Sequence, residues 1–379
     1  MTMHAAPIPS LKVLHRALFS DVSRGDSWRS VAPEKIVRFY SRGMWAMAEG
    51  VRFILDKRGK KQGKVWLPDY FCNEPLAPLR KKEISFHFYP VKNDLSPDWN
   101  KLEVRIVKHG PPDVFILVHY FGFPNSLDEA RAFCDKHGAQ LLEDCAHLLL
   151  PVKNDCGQNT AVFSPRKLLP LPEGGLLIMP YNSSAQRDIV KFGVTKKLIL
   201  KWLALRLAQW MMLTMGISWH CFRETAIGNA NNRHADKISG SMEMFPEKYT
   251  LKLLAVMEKG LNQVLEKRRT NYMWLLRAVD GIKGVKPLLP SLPDYVCPYT
   301  FPMILSERRD AVASQLNYFG IPAASWPDLP PEVSDRSDEH ETAVWLQEHI
   351  LLLPVHQDLS GKQVEYMAFK LREVLEKRG

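Results

Sequence analysis

Residues 113–151 read DVFILVHYFGFPNSLDEARAFCDKHGAQLLEDCAHLLLP, and residues 160–180 read TAVFSPRKLLPLPEGGLLIMP. Val114–Val118 is a short run of β-branched, aliphatic and aromatic residues, long enough for a buried strand and too short for a helix. Ser126, with Glu129 three residues later, forms a capping box, so the spacing predicts a helix from Leu127 that Gly138 stops. Residues 140–143 then read as the next strand. Strand, crossover helix and strand within about thirty residues make a βαβ unit, which commits the two strands to a parallel sheet. Ligands of open α/β sheets lie beyond the carboxyl ends of the strands. Two charged residues fall there: Asp144 at the end of the second strand, and Lys167 directly after the apolar run 160–164.

An acid and a lysine at neighbouring strand ends suit a pyridoxal phosphate (PLP) site. The amine forms a Schiff base, and the carboxylate keeps the pyridine nitrogen protonated so that the ring accepts electrons. A partly buried structural ion pair has the same residue pattern, and spacing alone leaves both readings open.

The ordered pattern VHYFGFP, EDCAH, FSPRK and EGG resembles the DegT/DnrJ/StrS family of PLP-dependent aminotransferases. The resemblance implies fold type I, an α/β architecture with a large, mostly parallel-sheet domain and a smaller C-terminal α/β domain. It implies that Lys167 is the Schiff-base lysine, Asp144 the partner of the pyridine nitrogen, His147 a neighbour of the ring or its 3′-oxygen, and Ser164 a phosphate ligand. It further implies that the small-residue turn within 40–47, which leads into an amphipathic helix reaching about residue 56, cradles the phosphate on the amides of Gly43 and Met44, and that Phe71 stacks on the ring. Tyr70 is the alternative to Phe71. Two departures stand out: Ser41-Arg42-Gly43 replaces the family's Ser-Gly-Thr or Ser-Gly-Arg order, and Ser164 lies closer to Lys167 than usual. No G-x-N-x-R-like loop is present to reach a neighbouring subunit's phosphate. Asn229, Asn231 and Asn232 are loose candidates, so that contact is unassigned.

His119 and Tyr120 end the first strand on the cofactor side, where either could meet substrate; a histidine there equally suits a strand cap. A zinc reading would use Cys134, His137, Cys145 and His147, but these lack a second paired knuckle, and no metal is expected.

The 379 residues are 46% hydrophobic and 24% charged, an ordinary globular mixture for which the length suggests two domains. We expect an N-terminal arm and cofactor domain over 1–255, and a bridging helix plus small domain over 256–379. Six scattered cysteines and no evident secretory signal predict reduced thiols and a cytoplasmic setting. A net charge of +10 favours anionic small-molecule ligands; no nucleic-acid-binding module is present.

Residues 1–35 read as an arm with one short helix, 63–68 and 86–91 as strands, and 251–280 as one long helix. Strands at 301–305 and 350–353 alternate with helices at 308–318 and 361–377. The stretch 197–222 is apolar and aromatic but interrupted by Lys201, Arg206 and Gln209, so it fails as a membrane span. It suits a helix at a homodimer seam or in the core, or an interfacial helix touching a membrane surface.

The expected activity is transfer of an amino group from an amino acid donor to an anionic carbonyl acceptor, with a nucleotide-linked ketosugar the family's usual acceptor. The competing readings are a non-catalytic PLP- or ligand-binding regulatory or assembly protein on the same fold, and a PLP lyase or decarboxylase.

Overall fold

The structure is a computed structural model describing residues 3–23, 25–30, 35–82, 84–151, 159–180, 191–193, 197–215 and 243–376. The polar loop at 226–241 with its three candidate asparagines, residues 216–222 of the apolar stretch, Cys156 and Cys221 lie outside these residues.

The βαβ unit forms as its sequence predicts. Strand β4, Val114–Val118, is buried at every position, as a parallel strand covered on both faces must be. The Ser126 hydroxyl accepts the Glu129 N–H at 3.4 Å, the helix Leu127–His137 follows, and Gly138 closes it at φ 64°. Strand β5 is Gln140–Cys145 and lies parallel to β4.

Around this unit a seven-stranded sheet runs in the order β1-β7-β6-β5-β4-β2-β3. Its other strands are Lys35–Tyr40 (β1), Lys64–Pro68 (β2), Ser85–Tyr89 (β3), Thr160–Phe163 (β6) and Gly175–Pro180 (β7). Only β7 runs against its neighbours. The register sets Val118 opposite Asp144, and Asp144 opposite Val162. The residues that end β4, β5 and β6 therefore open on one edge of the sheet. The helix Gly43–Lys57 packs over β6 and β7 with its amino end at that same edge.

A second sheet, antiparallel in the order β10-β9-β8, comprises Val285–Pro287 (β8), Thr300–Leu305 (β9) and Ile350–Pro354 (β10). Helices Leu261–Val279, Arg309–Tyr318 and Gly361–Glu376 cover it around buried Tyr272, Phe301, Leu316, Leu353 and Met367.

Three expectations are corrected. The long helix at 251–280 is two, Lys248–Glu258 and Leu261–Val279, broken at Lys259-Gly260. Glycine inside a helix costs about 1 kcal/mol, and Gly260 instead caps the second helix. The arm at 1–35 holds two helices, Leu11–Phe19 and Asp26–Arg29, and leads straight into β1. That strand's partner, β7, lies far along the chain, so no local pattern announces it. The strand expected at 86–91 is Ser85–Tyr89, and the chain leaves it at Pro90.

The described part of the 197–222 stretch is the helix Lys197–Thr214. It packs inward through Ile199 and Gln209, whose amide meets His4 at 2.9 Å. Leu200, Leu207, Met211 and Met215 form a stripe on the opposite side and are exposed. Among the described residues, no helix is long and apolar enough to cross a membrane.

Candidate active site

At the carboxyl edge of the large sheet lies a cleft of about 260 Å³ that contains both Asp144 and Lys167. Asp144 arrives on β5; Lys167 arrives on the short 3-10 turn Pro165–Lys167 that follows β6. The cleft also takes in His147, Ser164, Gly43, Met44, Phe71 and His119. Eight of the nine residues marked by the sequence thus meet in one space. Tyr120 does not: its hydroxyl donates to the Tyr70 carbonyl at 2.8 Å and its ring packs against Tyr70 and Trp326.

The hydrogen bonds around His147 favour one tautomer of its ring. The backbone N–H of Phe121 donates to His147 Nδ1 at 3.2 Å, so that nitrogen carries a lone pair. The neutral ring must then hold its proton on Nε2, which lies 2.9 Å from Lys167 Nζ. An Nε2–H donor requires an acceptor, and a lysine amine accepts only when it is neutral. Burial pulls both groups the same way. It lowers His147 well below the ordinary histidine value. Lys167 is lowered as well, chiefly by burial, against the pull of Asp144. A buried, neutral lysine amine is the nucleophilic form that attacks a carbonyl.

The imidazole is held in place by stacking. Tyr299 lies on one side at a ring separation of 4.7 Å and 11°, and Phe121 at 5.8 Å and 6°. Phe121 adopts a left-handed backbone (φ 55°), which aims its N–H at the ring, and its carbonyl accepts the Tyr299 N–H at 2.7 Å. At the neighbouring Gly122 (φ 97°) a Cβ would come within 2.2 Å of the Cys297 carbonyl, so this approach needs glycine.

Asp144 is buried, and burial raises its carboxyl above the usual range; Lys167 and the Ala146 N–H, which donates to it at 3.0 Å, pull the other way. A carboxyl in this position gains most from a cation placed directly against it.

The opposite end of the cleft favours anions. The helix Gly43–Lys57 begins there with its first amides free of intrahelical partners. A Cβ on Gly43 would make only ordinary contact, 3.5 Å from Ser164 Cβ. The Ser164 hydroxyl donates to the Gly174 carbonyl at 3.3 Å. Arg42 and Arg166 also face the cleft. With a buried lysine amine, a buried carboxyl, the Phe71 ring as a wall and this anion-binding end, the donor set fits PLP.

His119 lines the wall, with both nitrogens engaged: Nδ1 accepts the Asn125 N–H at 3.0 Å, and Nε2 faces Glu143 at 3.4 Å. Among the described residues, His119, Glu143 and Cys145 are the one set whose metal-type donor atoms converge. The zinc combination weighed from sequence does not assemble, because His137 turns to Glu103 and both nitrogens of His147 are taken.

Arg42, Arg166, Tyr299 and Trp326 escaped the sequence reading. Each arginine adjoins a predicted site residue, a signal that was present. Tyr299 and Trp326 come from beyond the strands of the large sheet, where no local pattern points to the cleft. Buried Arg268 was also missed. It donates to the carbonyls of Leu168 (2.9 Å) and Tyr299 (3.0 Å) and to Gln357 (3.0 Å), bracing the loop that follows Lys167.

The sequence profile of the DegT/DnrJ/EryC1/StrS aminotransferase family matches residues 90–372. Among solved structures, the chain is similar to the sugar aminotransferase CalS13 from Micromonospora echinospora, at 16% identity over 98% of this chain and 100% of that one (TM-score 0.68). It is similar to PseC of Helicobacter pylori, an aminotransferase involved in the biosynthesis of pseudoaminic acid, at 15% identity over 100% of both chains (TM-score 0.68). DesV of S. venezuelae, solved in complex with a ketimine intermediate, shares 18% identity over 99% of both (TM-score 0.66). No curated protein matches the chain.

Proposed function

The chain belongs to the DegT/DnrJ/EryC1/StrS aminotransferase family, and on that premise we propose that it moves an amino group from an amino acid to a nucleotide-linked ketosugar or a related envelope or secondary-metabolite precursor. It is a PLP-dependent aminotransferase of fold type I, acting between small-molecule donor and acceptor. The sugar reading draws on the sugar aminotransferases among its structural neighbours. The net charge of +10 supports an anionic acceptor.

PLP, when bound, supplies a carbonyl that captures amines and a ring that accepts electrons. In our reading Lys167 would be the residue that holds that carbonyl, and its Nζ would be the group placed to take up and return a proton at the donor's Cα. His147 orients the amine through Nε2–H. Asp144 would hold the ring nitrogen, Phe71 would lie against the ring, and the amides of Gly43 and Met44 with the Ser164 hydroxyl would receive the phosphate. His119 shapes the wall beside Asp144. The observation that carries this reading is the Lys167 Nζ, 2.9 Å from His147 Nε2 in the same cleft as the buried carboxyl of Asp144.

We further propose a homodimer, and the division at 255–256 into a cofactor domain and a small domain. The exposed apolar stripe on the helix Lys197–Thr214 supports a covered surface there, with a second copy as occupant. The membrane-surface alternative, and with it a peripheral setting, predicts pelleting with anionic vesicles. A dimer that stays in the supernatant would exclude it.

The test is an absorbance spectrum of purified protein before and after borohydride, with Lys167→Ala as control. A visible band lost on reduction and absent from the variant supports the assignment of Lys167. A band that survives in Lys167→Ala would refute it. Donors and sugar-nucleotide acceptors are then screened by product formation.

A further inference from the structure

We infer that Arg42 and Arg166 form a clamp, supplied within one chain, for the phosphate of the cofactor. This rests on the PLP reading and extends it to two residues that the family pattern does not call for.

The two arginines are brought together by one turn. Arg42 directly precedes Gly43, and Arg166 directly precedes Lys167. Between them passes Glu173-Gly174-Gly175. The Gly174 N–H donates to the Ser41 carbonyl at 2.8 Å, and its carbonyl accepts from Ser164. A Cβ on Gly174 would lie 3.4 Å from the Arg166 nitrogen, and one on Gly175 only 2.2 Å from the Arg42 carbonyl oxygen. The two backbones therefore press on adjacent glycines, and both residues line the cleft beside the amino end of the helix Gly43–Lys57.

Neither guanidinium has a partner there. Among the described residues, neither donates a hydrogen bond or comes within ion-pair distance of a carboxylate, and Arg166 Nε is buried with nothing to bond. Glu74 and Glu173 attract Arg42 through space, but Glu173 accepts from the Glu247 N–H (2.9 Å) and Thr250 (3.3 Å). Burial, followed by the like charge of Arg166, lowers Arg42 to about 10. Two cations sharing a partly buried space at a helix amino terminus, with unsatisfied donors and a serine hydroxyl, form a site for a dianion. A phosphate monoester carries that charge, with three acceptor oxygens to meet the donors.

The test compares PLP with pyridoxal, which has the same ring and aldehyde but no phosphate. Apo wild type, Arg42→Gln, Arg166→Gln and the double variant are titrated with each, following tryptophan fluorescence, and thermal midpoints of the apo forms report folding. Each single variant is expected to lose roughly tenfold in PLP affinity and the double roughly a hundredfold, with pyridoxal affinity unchanged. Unchanged pyridoxal binding also shows that Lys167 beside Arg166 is intact. A double variant that keeps the wild-type preference for PLP over pyridoxal overturns the clamp, more so if sugar-nucleotide affinity falls instead. Wild type binding neither compound overturns the cofactor reading itself, a result distinct from loss of the clamp alone.

Discussion

Replacing Gly175 by alanine would place a methyl carbon 2.2 Å from the Arg42 carbonyl oxygen, 2.3 Å from its carbon and 2.7 Å from the Gly43 nitrogen. All three are backbone atoms, so no side chain can swing aside. Restoring ordinary separations requires β1 and β7, paired here through Tyr40 and Gly175, to part by roughly 1 Å at this point. Forced overpacking of this kind costs about 1–3 kcal/mol of stability. The strain falls where the helix Gly43–Lys57 begins, so the amides at its first turn shift with it. A misplacement of about 1 Å at a reacting centre can cost about a hundredfold in rate. We expect Gly175→Ala to fold with a lowered urea midpoint, to bind PLP more weakly, and to lose about two orders of magnitude in kcat/KM. Gly43→Ala is the matched control, since its methyl would meet Ser164 at an ordinary 3.5 Å. It should fold with nearly normal stability and lose affinity only for the phosphorylated cofactor, whose phosphate the methyl would crowd. Gly175→Ala with wild-type midpoint and turnover would refute this account of the turn.

Three further outcomes follow from the site and its surroundings. Lys167 in the apo protein should react with a small electrophile with a half-maximal pH below the ordinary lysine value of 10.5, mapped by mass spectrometry, and His147→Leu should move that midpoint upward. Asp144→Asn should retain PLP yet lose about a hundredfold or more in turnover; near-normal turnover would show that the carboxylate does not serve the ring nitrogen. Buried His356 is lowered from 6.5 to about 3, first by burial, and its contact with His4 is to a carbonyl at 2.8 Å. Because the folded value lies below the unfolded one, the stability it confers is complete above pH 6.5 and is lost as pH falls toward 3. The full loss is roughly 5 kcal/mol. Urea midpoints across that range should flatten in His356→Gln, and an unchanged slope would remove the histidine as the cause.

What the sequence revealed depended on how local each signal was. Val114–Val118, Ser126 with Glu129, and Gly138 state their own structure, because the partners in each signal are neighbours in the chain. Asp144 and Lys167 were found because strand ends in a parallel sheet converge, and the register Val118–Asp144–Val162 is that convergence. Phe121 was not found. Its role rests on a backbone N–H aimed by a left-handed residue, and side-chain identity carries no mark of it. Tyr299, Trp326 and Arg268 act across contacts more than a hundred residues from Lys167 in the chain, beyond the reach of any periodicity. Gly260 shows the converse: a helix-breaking glycine is a local signal, yet the apolar period on both sides of it reads through the break.

Arg268 also bears on the order in which the protein is made. One guanidinium joins the loop after Lys167 to Tyr299 and to Gln357, which is translated after every strand of both sheets. Every strand of the large sheet has been translated well before that point, yet the lysine loop still lacks its brace. The nascent chain can complete its sheet long before it can present a finished cofactor site, so premature capture of PLP by a partial chain is disfavoured by the sequence order itself.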